Sequence, residues 1–247
     1  VVNFESAIGG DSNDIFYSTS ADNHFEGGAG NDLFIFDDNS GTDTITDLSG
    51  DDTFDFTRVT IPLTFTLGSV IVTGSGITVI HTGNDIEHLL GGPQDDVFVF
   101  SVNGVQLANG TGTIDGGGGI NTLDYTAYTD PVSVNLLTGV ATGTGGIANI
   151  RNLIGGSGSD TLIGDAQANV LRGNGGDDFI DGGAGVDTLD ESNATVAISV
   201  DLSTTAPQAS GRGTVTYQNI EYALTGSGND TLTSGSADNI LRGGAGN

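Results

Sequence analysis

The 247-residue chain contains no Cys, no Met, no Trp and no Lys; its five cationic residues are all Arg, and Pro occurs only four times. The absence of Cys excludes disulfides, thiolate metal sites and cysteine nucleophiles, and it leaves the redox compartment open. The absence of Lys excludes a Walker-type phosphate loop, and neither G-x-S-x-G nor H-E-x-x-H occurs. Five cations against 32 acids give a net charge of −27, which argues against nucleic acid and anionic lipid as partners and for cations. No apolar run is long enough to span a bilayer, so membrane insertion is not expected. With no Met to start on, and a closing "GGAGN" that breaks off inside a pattern completed elsewhere as "GGAGVD" and "GGAGND", the chain is expected to be a piece of a larger protein.

What the chain has in abundance is Gly, at 42 residues, and Asp, at 27 of the 32 acids. Asp is the acid of turns, because its short side chain reaches its own backbone. At 36% hydrophobic residues the chain is too apolar to be a purely solvating tail. Residues 155–190 keep a beat of nine. Units starting at Gly155, Gly164, Gly173 and Gly182 put Asp160, Asn169, Asp178 and Asp187 at position six, and Leu162, Leu171, Ile180 and Leu189 at position eight. The same frame fits 9–35, 38–55, 91–99, 107–124 and 225–242, where position eight is Phe16, Phe25, Phe34, Ile45, Phe54, Phe98, Ile114, Leu123, Leu232 and Leu241. Every one is large and apolar, and such phase-locked repetition marks a repeat architecture.

Each part of a unit has a physical task. Gly at positions one, two and four lets the first six residues turn tightly, and the last three form a short strand whose middle side chain points inward. Stacked in parallel, such strands pair the backbone of each unit with its neighbours and build a column of Leu, Ile and Phe, so an all-β solenoid is expected. Stacking also lines up the position-six acids Asp14, Asp32, Asp43, Asp52, Asp96, Asp160, Asp178, Asp187 and Asp230 along the edges. Two carboxylates about 4 Å apart repel by roughly 4 kcal/mol at an effective dielectric of 20, so a cation is needed between them. Calcium fits best, because it takes six to eight oxygens at flexible angles, whereas magnesium demands strict octahedral geometry and zinc demands His or Cys. Several ions are expected.

The stretches "GGAGNDLFI", "GGSGSDTLI" and "GGAGVDTLD" resemble the G-G-x-G-x-D-x-apolar-x nonapeptide of the RTX, or haemolysin-type calcium-binding, repeat family. The resemblance implies a right-handed parallel β-roll or β-helix solenoid in which calcium sits in glycine-rich turns two units apart. It implies that Asp14 pairs with Asp32, Asp160 with Asp178, and Asn169 with Asp187. Turn carbonyls, with Gly9, Gly28, Gly30, Gly156, Gly158, Gly176, Gly183, Gly185, Gly226 and Gly228 as candidates, would complete the sites. Departures from the pattern are Asn23, Asn121, Asn169 and Asn239 at position six, where weak or no binding is expected. A two-residue slip at Phe36 and Asp37 puts 9–35 and 38–55 out of register.

Between the nonapeptide blocks lie stretches that alternate apolar and polar residues: Ile61, Leu63, Phe65 and Leu67; Val132, Val134 and Leu136; Val196, Ile198, Val200 and Leu202. They predict half-buried strands. The chain 1–247 is therefore expected to be one continuous solenoid, with RTX-type turns at 9–55, 91–124, 155–190 and 225–247 and longer-strand coils at 56–90, 125–154 and 191–224. In "HTGNDIEHLL", the residues His81, Asp85, Glu87 and His88 are read as polar positions on a solvent face rather than as a metal or acid–base site. The chain is expected to be non-catalytic: a calcium-binding structural segment of a secreted bacterial surface protein, such as an adhesin, S-layer or fibre component, that folds on calcium binding after export. The resemblance further implies type I secretion. Partners would be calcium, neighbouring copies of the same protein or a cell-surface matrix. The alternative is an accessory module of a secreted hydrolase or epimerase.

Overall fold

A computed structural model describes residues 5–47, 49–68, 70–81 and 85–246. Among these, every strand is short, no α-helix occurs, and a single 3-10 turn spans Leu107–Gly110. Two compact units form, one from 1–122 with 142–150, the other from 123–141 with 151–247.

In the first unit one sheet runs Ser6–Gly10, His24–Gly28, Gly41–Thr46, Ile77–His81, Ile71–Gly74, Thr64–Leu67, Val97–Phe100 in order of hydrogen-bonded neighbours. A second, six-stranded sheet runs Gly146–Ala148, Thr113–Asp115, His88–Leu90, Thr53–Asp55, Leu33–Ile35, Ile15–Tyr17. In the second unit one sheet runs Asn152–Ile154, Val170–Arg172, Thr188–Glu191, Tyr222–Thr225, Ile240–Arg242, and another centres on Ser133–Asn135, Thr161–Ile163, Phe179–Asp181 and Thr214–Gln218. Successive nonapeptides thus go to opposite sheets, and alternate ones pair in parallel: Phe16 with Phe34, Leu162 with Ile180, Leu171 with Leu189. This is a parallel β-roll, and it follows from a beat of nine split between two faces.

The inward side chain of each strand is the position-eight residue. Phe25, Phe34, Ile45, Phe54, Leu162, Leu171, Ile180 and Leu189 are all buried, each contributing about 1.5 to 3 kcal/mol by leaving water. Leu232 and Leu241 are only half-buried. The first unit has an aromatic core in which Phe16 stacks on Phe34 and Phe65 on Phe98, at ring separations of 5.0 and 4.4 Å. Aliphatic residues and Tyr125, Tyr128 and Tyr217 fill the second.

Two expectations change. The slip at Phe36 and Asp37 does not break the roll, because the next strands pair at a spacing of 20: Phe25 with Ile45 and Phe34 with Phe54. Phe36 enters the core, fully buried and stacked on Phe56 at 4.5 Å, while Asp37 stays at the surface. The intervening segments also differ from longer strands. Their extra length goes into hairpins, in which Thr64–Leu67 pairs antiparallel with Ile71–Gly74, and that in turn with Ile77–His81. Val134 likewise pairs antiparallel with Ala141, and Gln208 with Val215. Alternation alone does not distinguish one long strand from two short ones, and Gly68 and Gly76, with φ of 114° and 80°, provide the turns. Val196, expected to alternate inward, is exposed.

Candidate metal sites

The position-six side chain folds back under its own unit, and where position one is Gly the missing side chain leaves room for it. A methyl carbon on Gly182 would lie 2.7 Å from Asp187 Oδ2, and one on Gly91 2.7 Å from Asp96 Oδ2. Held this way, one carboxylate oxygen accepts the N–H of the position-six residue two turns earlier. The N–H of Asp14 donates to Asp32 Oδ1 at 2.8 Å, that of Asp32 to Asp52 at 2.7 Å, and that of Asn23 to Asp43 at 2.9 Å. In the second unit Asp160 donates to Asp178 Oδ1 at 2.9 Å and Asn169 to Asp187 Oδ1 at 2.8 Å. The three pairs implied by the repeat are therefore juxtaposed, and Asp32 with Asp52 adds a pair across the slip. Asp96 and Asp230 accept from Leu63 and Ile198, both at 2.8 Å.

The rows continue through carboxylates that lack a glycine turn. The N–H of Asp52 donates to Glu87 Oε2 at 2.8 Å, and that of Asp187 to Glu221 Oε2 at 2.8 Å. Both glutamates were invisible to a search for Gly-rich units, but each stands two residues before an inward apolar residue, Leu89 or Ala223, as position six stands before position eight. The solvent-face reading of this stretch is thus corrected. Glu87 belongs to a carboxylate row. His81 is buried, its imidazole held between the Ile45 carbonyl at 3.1 Å and Asp85 at 2.6 Å. His88 is half-buried, bridging Thr113 and Asp51 at 2.6 and 2.9 Å. The other acid missed is Asp47, at position one of its unit where Gly is usual. Its carboxylate meets those of Asp32 and Asp52, with ligand atoms of all three within 4.8 Å of one another.

The second carboxylate oxygen sorts the turns into two kinds. In Asp160 and Asp96 it accepts the N–H of the position-two residue, Gly156 or Gly92, at 2.7 and 2.9 Å, so the turn closes on itself. Where position two adopts positive φ, as at Gly28 (107°) and Gly183 (91°), that N–H points elsewhere; Gly183 donates to Asp181 instead. Asp32 Oδ2 and Asp187 Oδ2 are then buried with no hydrogen-bond partner among the described residues, and so are Asp52 Oδ2 and Asp230 Oδ2. Buried carboxylate oxygens left bare are costly. Burial raises the pKa of Asp52 and Asp178 to about 7 and of Asp43 and Asp187 to about 6, and it also raises those of Asp32, Asp96 and Asp160. A hard cation with several oxygen ligands meets the need of the bare oxygens, so the residues present fit calcium.

Asn at position six behaves differently. Asn169 accepts the Asp165 N–H at 2.9 Å and donates from Nδ2 to the Arg151 carbonyl at 2.9 Å. Asn121 donates to the Gly118 and Asn149 carbonyls at 2.8 and 2.9 Å. Among the candidate glycines, Gly28, Gly156 and Gly226 use their carbonyls to accept the position-three N–H two turns on, from Ser49, Gly175 and Ala245. Gly30, Gly176, Gly183 and Gly185 lie against the backbone of the preceding turn in the stack, Gly158 against Asp130 and Gly228 against Val196 and Ala197, while Gly9 makes space for Asp14. Stacking is thus a role that all of these turns share.

The model of the family described as RTX calcium-binding nonapeptide repeat (4 copies) matches residues 8–39, 154–189 and 220–247, which hold Asp14, Asp32, Asp160, Asp178, Asp187 and Asp230. No curated protein matches the chain. No helix among the described residues is long and apolar enough to cross a membrane. Three segments of this β-roll, in which position-six carboxylates stack two turns apart, match that family and carry RTX calcium-binding nonapeptide repeats.

Proposed function

We propose that this chain is a calcium-folded structural segment of a secreted bacterial surface protein of the adhesin, S-layer or fibre kind. The observation that carries the reading is the set of bare, buried oxygens on Asp32, Asp52, Asp187 and Asp230. Asp14 with Asp32, Asp32 with Asp52, Asp160 with Asp178, and Asp187 in the turn above Asn169 would hold the ions, several to a chain, with carbonyls of Gly9, Gly28, Gly30, Gly156, Gly158, Gly176, Gly183, Gly185, Gly226 and Gly228 as further donors. Calcium, when bound, supplies the positive charge that lets neighbouring carboxylates stay ionised while buried.

The rest follows from the chain's own residues. At −27 the unfolded polymer repels itself and stays soluble in a low-calcium cytosol, in a state fit for export. Proteins carrying this repeat are typically secreted, which supports an extracellular place for folding. Each added turn lengthens the stack without a new kind of contact, which suits a stalk or lattice element. Circular dichroism of the chelator-stripped chain, titrated with Ca²⁺ and with Mg²⁺ as control, tests the reading. Cooperative gain of β signal at about 10⁻⁴ to 10⁻³ M calcium is expected, the range of extracellular modules. A stripped chain already folded and indifferent to calcium would overturn it.

A further inference from the structure

Asp47 stands at the first position of the unit 47–55, where the repeat has Gly. It is buried, as are Asp32 and Asp52, and the three carboxylates offer ligand atoms within 4.8 Å of one another. Two independent features aim this group at a common point. The Oδ2 atoms of Asp32 and Asp52 are buried without a hydrogen-bond partner among the described residues. The space above Gly27 is a cradle. A methyl carbon there would lie 2.9 Å from each Asp47 oxygen and closer still to Asp32 Oδ2. No ion pair joins Asp32 or Asp52 to a basic side chain among the described residues.

We propose that Asp32, Asp47 and Asp52 form a three-carboxylate cation site that fills with calcium ahead of the two-carboxylate turns of the same chain. The inference rests on the reading that the position-six acids bind calcium, and adds Asp47 as the ligand that sets the order of filling. Charge count tunes calcium affinity across many decades, so a third carboxylate in a formed cradle separates this site from the others. The residue opening a unit lies against the opening residue two units earlier at a spacing of 18, as Gly173 does against Gly155, and equally at the spacing of 20 found here, where that residue is Asp47 set against Gly27.

The test is a calcium-binding isotherm by equilibrium dialysis on the whole chain, for the wild type, Asp47→Gly and Asp47→Asn, with circular dichroism on each. The wild type is expected to bind one ion at least tenfold more tightly than the rest. Asp47→Gly, which restores the usual residue, is expected to lose that ion while the remaining sites and the calcium-saturated fold persist. Asp47→Asn, which keeps side-chain volume, is expected to weaken the tight ion at least tenfold. A single class of sites that neither substitution changes overturns the three-carboxylate site and leaves calcium binding standing. A wild type that binds no calcium overturns both.

Discussion

Gly175 and Gly176 are chain neighbours in one turn, yet the stack makes opposite demands of them. Gly176 has φ of 117°, and a methyl carbon on it would lie 2.6 Å from the carbonyl carbon of Gly158, closer still to its oxygen. Gly175 does not have positive φ, and its nearest neighbour, the Arg212 carbonyl oxygen, would be 3.9 Å from an added methyl. Gly176→Ala therefore forces a strained backbone, at about 1 to 3 kcal/mol. It also pushes the turn away from that of Gly158, to which it is joined by Gly175 N–H on the Gly156 carbonyl at 3.3 Å. That bond is worth about 1 kcal/mol, so the total loss is about 2 to 4 kcal/mol. Gly175→Ala should be neutral, or stabilising by about 0.4 to 1 kcal/mol through the unfolded chain. Thermal unfolding in saturating calcium is the assay, and Gly176→Ala should lower the midpoint by on the order of 10 °C. Equal midpoints for the two variants would refute the idea that these turns stack backbone on backbone.

Three further outcomes follow from the cores and the rows. Phe36→Ala empties a fully buried ring site stacked on Phe56 and should cost about 3 to 5 kcal/mol in urea unfolding, although Phe36 lies outside the nine-residue frame. Asn169→Ala removes the bonds to Asp165 and Arg151 and should destabilise by about 1 to 3 kcal/mol to the same extent with and without calcium, whereas Asp187→Asn should chiefly raise the calcium concentration needed to fold. In calcium-free buffer, carboxylates raised to about 6 or 7 in the fold, against an ordinary 3.8 in the unfolded chain, bind protons more tightly when folded. Their contribution is full below about pH 4 and is lost as pH rises through 6 to 7, so the stripped chain should gain β signal on acidification from pH 8 to 5. A flat profile by circular dichroism would contradict the burial of Asp43, Asp52, Asp178 and Asp187.

The column at position eight and the row at position six were legible because both are periodic and both are chemically extreme, one apolar and one acidic. Asp47, Glu87 and Glu221 were not, because each joins a row through register rather than through a glycine turn. Register depends on how many residues the intervening segment consumes, and hairpins insert antiparallel strands such as Ile71–Gly74 between the parallel ones. The pair Phe36 and Asp37 shows the same limit. In sequence it reads as a break in the beat, whereas in three dimensions a buried ring turns a two-residue excess into a spacing of 20.

The two units differ in how they neutralise buried acids. In the second unit Arg212 reaches Glu191 at 2.9 Å and Arg172 pairs with Asp190, so arginine supplies part of the countercharge from within the chain. Asn169 also stands there in place of a carboxylate, accepting the Asp165 N–H of its own turn and donating its amide to the Arg151 carbonyl. Burial still lifts Glu191 to about 7, against the pull of Arg212 and Arg172, so the internal cations only partly compensate. In the first unit the one arginine, Arg58, sits at the surface 4.0 Å from Asp37, away from the cluster of Asp32, Asp47 and Asp52. A removable ion therefore carries more of the first unit's stability than of the second's. In Asp47→Gly, which lacks the tightly held ion, the aromatic core of the first unit should loosen on stepwise chelation before the tyrosines of the second, and near-ultraviolet circular dichroism separates the two because phenylalanine and tyrosine absorb in different bands. Simultaneous loss of both signals would mean that the arginine and asparagine substitutes contribute nothing that calcium does not already control.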